Sequence, residues 1–243
     1  MAKDYKITYK VYHNERLKKV FFHGRMTYPL YVQVTYMRKS IFFKSYYFDL
    51  LSSPKYMLQA AGLVGGPKLE DVFKLENELL AFIMTKHKDD FSFDEFRQWY
   101  DFYGADLCSL TEEGFVHYLH TFFEDKGRPS FADAIREGCR VRVPHDVVRD
   151  MKALLLPEVY RELIGNALFY APPYLPLYGF MRQVKRWPLL LLSVREWLDE
   201  ATRQDFDDYI GKRYDAETTD TIRELLSRYL KSLERKTIVS GST

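Results

Sequence analysis

Hydrophobic and polar positions alternate along the first fifty residues. Tyr5, Ile7, Tyr9 and Val11 interleave with Lys6, Thr8, Lys10 and Tyr12, the period of a half-buried strand. Leu30, Val32, Val34 and Tyr36 interleave in the same way with Tyr31, Gln33, Thr35 and Met37. A turn around Met37, Arg38, Lys39 and Ser40 leads into a third run, 41–48, with Ile41, Phe43 and Tyr47 on one face and Phe42, Lys44 and Tyr46 on the other. Three such runs predict an antiparallel meander whose apolar face needs a cover.

Near residue 65 the period changes. Beyond the connector 62–67, the stretch 69–88 sets Val72, Leu75, Leu79, Phe82 and Ile83 on one stripe of a helix. Further helices are predicted at about 92–103, 111–126, 130–138, 144–154, 157–168 and 216–235. The segment from Ala171 through Pro172, Pro173, Tyr174 and Leu175 to Pro176 reads as a loop or extended connector. The tail 240–243 reads as frayed. The fold class is therefore α+β: a sheet with its covering helix in residues 1–104, then an α-helical domain, 105–243.

Composition adds a chemical asymmetry to this outline. The 243 residues are 47% hydrophobic and 29% charged, as in a folded protein, which excludes a disordered or fibrous chain. The net charge is only +2. Residues 1–50, however, hold ten Lys and Arg against three acids, a balance of +7, and the rest of the chain carries −5. A basic end on an acidic chain speaks of partners: a polyanion or an acidic protein. Two cysteines, Cys108 and Cys139, are too few for a disulfide framework and fit a reducing compartment. The start of the chain has no apolar signal region, and no apolar run approaches the roughly 18 residues of a membrane span. A cytoplasmic protein without membrane contact is expected.

The outer face of the predicted sheet would collect Lys6, Thr8, Lys10, Tyr12, Tyr31, Gln33, Thr35, Phe42, Lys44 and Tyr46. Arg16, Lys18, Lys19, Arg25, Arg38 and Lys39 would flank it in loops. Such a face suits a DNA groove: the cations neutralise phosphates, and Gln, Thr and Arg reach base edges. The residues expected to bind DNA are Lys6, Lys10, Arg16, Lys18, Lys19, Gln33, Thr35, Arg38, Lys39 and Lys44. Aromatics on the same face could instead stack unpaired bases of RNA or single-stranded DNA. A solvated sheet face, or one that docks an acidic protein, is the competing reading.

The string Tyr28-Pro29-Leu30-Tyr31-Val32-Gln33-Val34-Thr35-Tyr36, followed by Arg38-Lys39 and Ile41-Phe42-Phe43-Lys44, resembles the N-terminal arm-type DNA-binding domain of tyrosine recombinases. The integrases of Bacteroidetes mobile elements are the nearest likeness. Gly65-Gly66-Pro67-Lys68 and the helix from Leu69 stand where that family has its connector and long helix. The resemblance spans residues 5 to about 100 and implies a small three-stranded sheet that enters a DNA groove, backed by a helix. It does not extend to catalysis. Beyond the module, where that family has its catalytic domain, no His-x-x-Arg pair occurs, since His145 and Arg149 are one residue too far apart, and about 140 residues there are too few for the two further domains. The resemblance implies a non-catalytic accessory or regulatory protein of a mobile element, phage or defence system.

Other chemistry is sparse. Glu113, His117, His120 and Glu124 fall on one stripe of the helix 111–126, a spacing open to a metal, though a single helix offers few converging ligands. The connector 62–69 resembles a phosphate loop but lacks its Gly-Lys-Ser/Thr ending, and Pro67 removes an amide. Asp205, Asp207 and Asp208 read as a solvated turn or helix start. No enzyme signature, metal site or cofactor site is predicted. The helical domain is left with a partner-binding or dimerising role.

Overall fold

Alternation in the first third of the chain becomes paired strands. In the computed structural model, which describes residues 6–56, 65–87, 91–185 and 189–239, the fold is α+β. Expectations placed on residues 1–5, 62–64, 88, 186–187 and 240–243 lie outside the described residues. The chain divides into two compact units, Met1–Gly104 and Ala105–Thr243.

The first unit opens with strand β1 (Thr8–His13), then a ribbon of β2 (Val20–Phe22) and β3 (Arg25–Thr27), then β4 (Leu30–Tyr36) and β5 (Lys39–Lys44). The order β1-β4-β5 forms an antiparallel three-stranded sheet, and β2 pairs only with β3. Leu30, Val32 and Val34 of the central strand have no solvent exposure. Burial of this kind contributes about 1.5–3 kcal/mol for each large aliphatic side chain.

The cover comes from α1 (Tyr46–Leu51), α2 (Leu69–Lys86) and α3 (Phe93–Gly104). His13 meets Phe73 of α2 at 5.5 Å between ring centroids, and Phe43 meets Tyr100 of α3 at 4.7 Å. Val72, Leu79, Leu80 and Ile83 of α2 fill the space beneath the sheet.

The third run departs from the expected strand 41–48. Pairing ends at Lys44, because Ser45 turns the chain into a helix. Its Oγ accepts from the Phe48 N–H at 3.0 Å, a side-chain cap that satisfies an amide the first turn leaves without a partner. The aromatic run Tyr46-Tyr47-Phe48 has strand propensity, but helical spacing buries Tyr47, Phe48 and Leu51 together.

In the second unit, α4 (Leu107–Asp125) packs against α5 (Pro129–Val141), α7 (Pro157–Tyr170) and α8 (Tyr174–Val184); α6 (Pro144–Leu154) joins α5 to α7. The chain finishes with α9 (Val194–Trp197), α10 (Glu200–Gly211) and α11 (Ala216–Val239). Proline at N1 of α5, α6 and α7 starts a helix where its missing N–H would go unused. The same reasoning corrects the expected connector 171–176. Tyr174, Leu175 and Pro176 form the first turn of α8, where proline is tolerated. Asp205, Asp207 and Asp208 lie inside α10 rather than at a turn, and Asp207 ion-pairs with Arg223 of α11 at 2.7 Å. Helix α4 starts four residues before its expected position because Asp106 caps it: its carboxylate accepts from Ser109 N–H and Leu192 N–H, each at 2.8 Å. Burial pushes the Asp106 carboxyl up, against those hydrogen bonds. Both cysteines are buried thiols, not joined in a disulfide. Among the described residues no helix is long and apolar enough to cross a membrane.

Candidate nucleic-acid interface

Strand register decides which side chains share the face turned away from the helices. Thr8 stands opposite Thr35 and Thr35 opposite Ser40; Lys10 opposite Gln33 and Gln33 opposite Phe42; Tyr12 opposite Tyr31 and Tyr31 opposite Lys44. The open face is therefore three rows of three side chains. Neighbouring strands lie about 4.8 Å apart, so each row is about 10 Å wide.

Each row has its own chemistry. At one end Thr35 and Ser40 hydroxyls meet at 2.7 Å, and the Gln33 amide donates to them at 3.3 and 3.4 Å. Across the middle, Lys10 is exposed, and Phe42 keeps 57% of its surface in solvent. At the far end, the Tyr12 ring lies 5.1 Å from the Lys10 ammonium, a cation–π distance. Lys44 closes that row and ion-pairs with Asp49 of α1.

The cations expected around the face are distributed unevenly. Lys6 is exposed just ahead of β1. Arg16, Lys18 and Lys19 are exposed in the loop before β2, and none of them has a carboxylate within ion-pair reach among the described residues; Lys19 lies 5.2 Å from the Tyr28 ring centroid. Arg25 is on β3 rather than in a loop, 3.7 Å from Glu70. Arg38 stands at the tip of the β4–β5 hairpin. Tyr36 pairs with Lys39, leaving a two-residue turn in which Met37 and Arg38 both have positive φ, 47° and 64°. Lys39 belongs to β5 and has the parity of Ile41 and Phe43, so it is exposed but turned to the covered side. Tyr46 leaves the face altogether: it is half-buried in α1, and its N–H donates to the Tyr100 hydroxyl at 2.9 Å. Ser40 is the side chain the sequence pattern passes over, although it continues the Phe42, Lys44 alternation.

A buried carboxylate fixes the edge of this face. Glu76 of α2 has no exposure and accepts from Ser45 Oγ at 2.5 Å, Tyr47 N–H at 3.1 Å and Tyr100 Oη at 2.8 and 2.9 Å. Burial pushes its carboxyl above the ordinary glutamate range, against those hydrogen bonds and the charge of Arg97. The network ties the end of β5 to α2 and α3 and so sets the position of Lys44.

The other candidates do not assemble into sites. His120 places Nδ1 3.2 Å from Glu124 and Nε2 3.1 Å from Asp133, while Glu113 and His117 face solvent. No group of three or more potential metal ligands occurs among the described residues. Gly66 of the supposed phosphate loop serves packing, since a Cβ there would come within 2.2 Å of His23 Nδ1. Burial, then the charge of Asp106, push the Cys108 thiol well above its ordinary value, the reverse of an activated nucleophile. Compared with known proteins, the chain matches no family model, no curated protein and no solved structure.

Proposed function

We propose that this chain binds duplex DNA through the open face of the three-stranded sheet, as a non-catalytic accessory or regulatory protein of a mobile element, phage or defence system. One observation carries the reading. The register aligns Lys10 with Gln33, and Thr35 with Ser40, on an uncovered face, with Arg16, Lys18 and Lys19 exposed in the loop that follows β1 and without a carboxylate partner among the described residues. Strands spaced this way span about 10 Å, which suits a major groove about 12 Å wide. Gln33, Thr35 and Ser40 offer donors and acceptors to base edges; the lysines and arginines hold phosphates.

The likeness of residues 28–44 to the arm-type domain of tyrosine recombinases supports this choice of partner and of groove. The helical unit would then recruit a protein partner or a second copy. Leu154, Leu156 and Tyr170, at 78%, 64% and 79% exposure, suit that role. A second reading rests on Phe42, Tyr12 and Tyr31: one exposed and two half-buried rings at strand spacing also suit stacking with unpaired bases of RNA or single-stranded DNA.

Fluorescence anisotropy of the full chain with labelled duplex DNA, single-stranded DNA and RNA tests the proposal, from about 50 to 200 mM salt. Duplex preference is expected, with log affinity falling linearly against log salt at about 0.9 per phosphate contact. Lys6/Lys10/Lys44→Ala should flatten that slope. Preference for single strands moves the aromatic rows to the front, and no nucleic-acid binding overturns the proposal in favour of a protein-docking face.

A further inference from the structure

Between the last pair of β1 with β4, His13 opposite Leu30, the chain leaves the sheet and folds into the ribbon β2–β3. Register sets Phe21 opposite Met26, and these two large apolar side chains keep 53% and 58% of their surface in solvent. Their exposure is built in, because the ribbon is anchored from its other side. Phe22 is fully buried and stacks on Phe48 at 5.1 Å. His23 Nε2 lies 2.8 Å from the Leu51 carbonyl oxygen, and its ring occupies the space that Gly66 leaves by lacking a Cβ. Beside the ribbon stand Arg16, Lys18 and Lys19, without carboxylate partners among the described residues.

This combination asks for a partner with two properties: dense negative charge, and an apolar slot between charges. Stacked base pairs flanked by phosphates have both, and apolar side chains are known to wedge between base steps and kink a duplex. The ribbon leaves the sheet just past the Tyr12–Tyr31–Lys44 row, so it adjoins that end of the sheet proposed to bind the duplex.

We infer that the β2–β3 ribbon is a wedge. Phe21 and Met26 open a base step, Arg16, Lys18 and Lys19 hold the phosphates on either side, and the bound duplex bends. The inference rests on the proposed duplex binding and adds deformation of the DNA to it.

The test uses the full chain, a duplex with a donor and an acceptor dye at its ends, and 2-aminopurine at internal steps. Binding should shorten the end-to-end distance, as a kink of about 20–90° does, and raise 2-aminopurine fluorescence. Phe21→Ser/Met26→Ser changes only exposed side chains; it should keep the salt slope and lose both signals. Salt-steep binding to a straight, stacked duplex overturns the wedge and leaves the groove reading standing. Absence of duplex binding overturns the groove reading itself, and the wedge with it. Phosphatidylserine vesicles serve as a further arm: binding that needs Phe21 and Met26, with the duplex left stacked, overturns the wedge and reassigns the ribbon to a lipid surface.

Discussion

Phe42 and Phe43 are chain neighbours with opposite surroundings. Phe43 faces the helices, 4.7 Å from Tyr100 and 6.3 Å from Phe96, with the Arg97 guanidinium 4.5 Å above its ring. Phe42 faces solvent between Gln33 and the edge of the sheet. One strand thus carries a structural and a spare aromatic side by side, and pleating alone separates them. The lesson is that apolarity does not assign a role here. On the covered face a ring stabilises the fold, and on the open face the same ring has energy left to contribute to a partner.

The largest effect should come from the covered face. Phe43→Ala should cost about 2–3 kcal/mol, through lost transfer energy and lost packing of this half-buried ring against Tyr100, read as a lower urea midpoint. Glu76→Leu should cost about 2 kcal/mol, because Ser45 Oγ, Tyr47 N–H and Tyr100 Oη lose their acceptor in a closed core. The same residue gives a pH test. Burial raises the folded-state pKa of Glu76, so the folded protein holds that proton more tightly than the unfolded chain does. Its contribution is fully present below the unfolded pKa and is lost as pH rises through the folded one. Stability relative to Glu76→Gln should therefore fall as pH rises from about 4 toward neutral; the pH-independent hydrogen-bond difference between the two drops out of that trend. A flat difference across that range would remove the burial argument.

Much of this contrast was legible in the sequence. Alternation placed Thr8, Lys10, Tyr12, Tyr31, Gln33, Thr35, Phe42 and Lys44 on one face, because a half-buried strand writes its two environments at period two. Ser45 escaped that reading: an aromatic run looks like a strand, and the cap that ends it depends on an acceptor thirty-one residues away, Glu76. Glu76 itself occupies the apolar stripe between Val72 and Leu79, where a charged residue signals a buried network that only tertiary packing completes. The ribbon β2–β3 was missed because its strands are three residues each; the clue was His23-Gly24 directly after the short apolar run Val20-Phe21-Phe22. Helix α8 was hidden by its prolines, which a first turn accepts as readily as a loop does.

The hairpin tip sharpens the comparison at intermediate scale. Met37 and Arg38 occupy left-handed φ values that favour Asn and Gly in a two-residue turn. Met37→Asn/Arg38→Gly should stabilise the first unit by about 1 kcal/mol, measured by urea unfolding. If Arg38 holds a phosphate, the same variant should also flatten the salt dependence of duplex binding by about 0.9. Greater stability with unchanged binding would leave the strained turn as a local irregularity and remove Arg38 from the interface.

The smallest effects on the fold belong to the open face, and they divide the readings of it most sharply. Lys10→Ala and Phe42→Ala should each change stability by less than about 0.5 kcal/mol, since both side chains are exposed and the cation–π contact of Lys10 with Tyr12 is a surface one. Their effects on binding should differ in kind. Removing Lys10 takes away a point charge and should lower the salt slope by about 0.9 for duplex and somewhat less for single strands. Removing Phe42 takes away a ring without changing charge. In a groove-reading face it should leave the slope intact and weaken duplex binding only modestly. In a stacking face it should cost about 1–3 kcal/mol of single-strand affinity. A Phe42 variant that loses single-strand binding while Lys10→Ala keeps it would reverse the roles proposed for these two neighbours in the middle row.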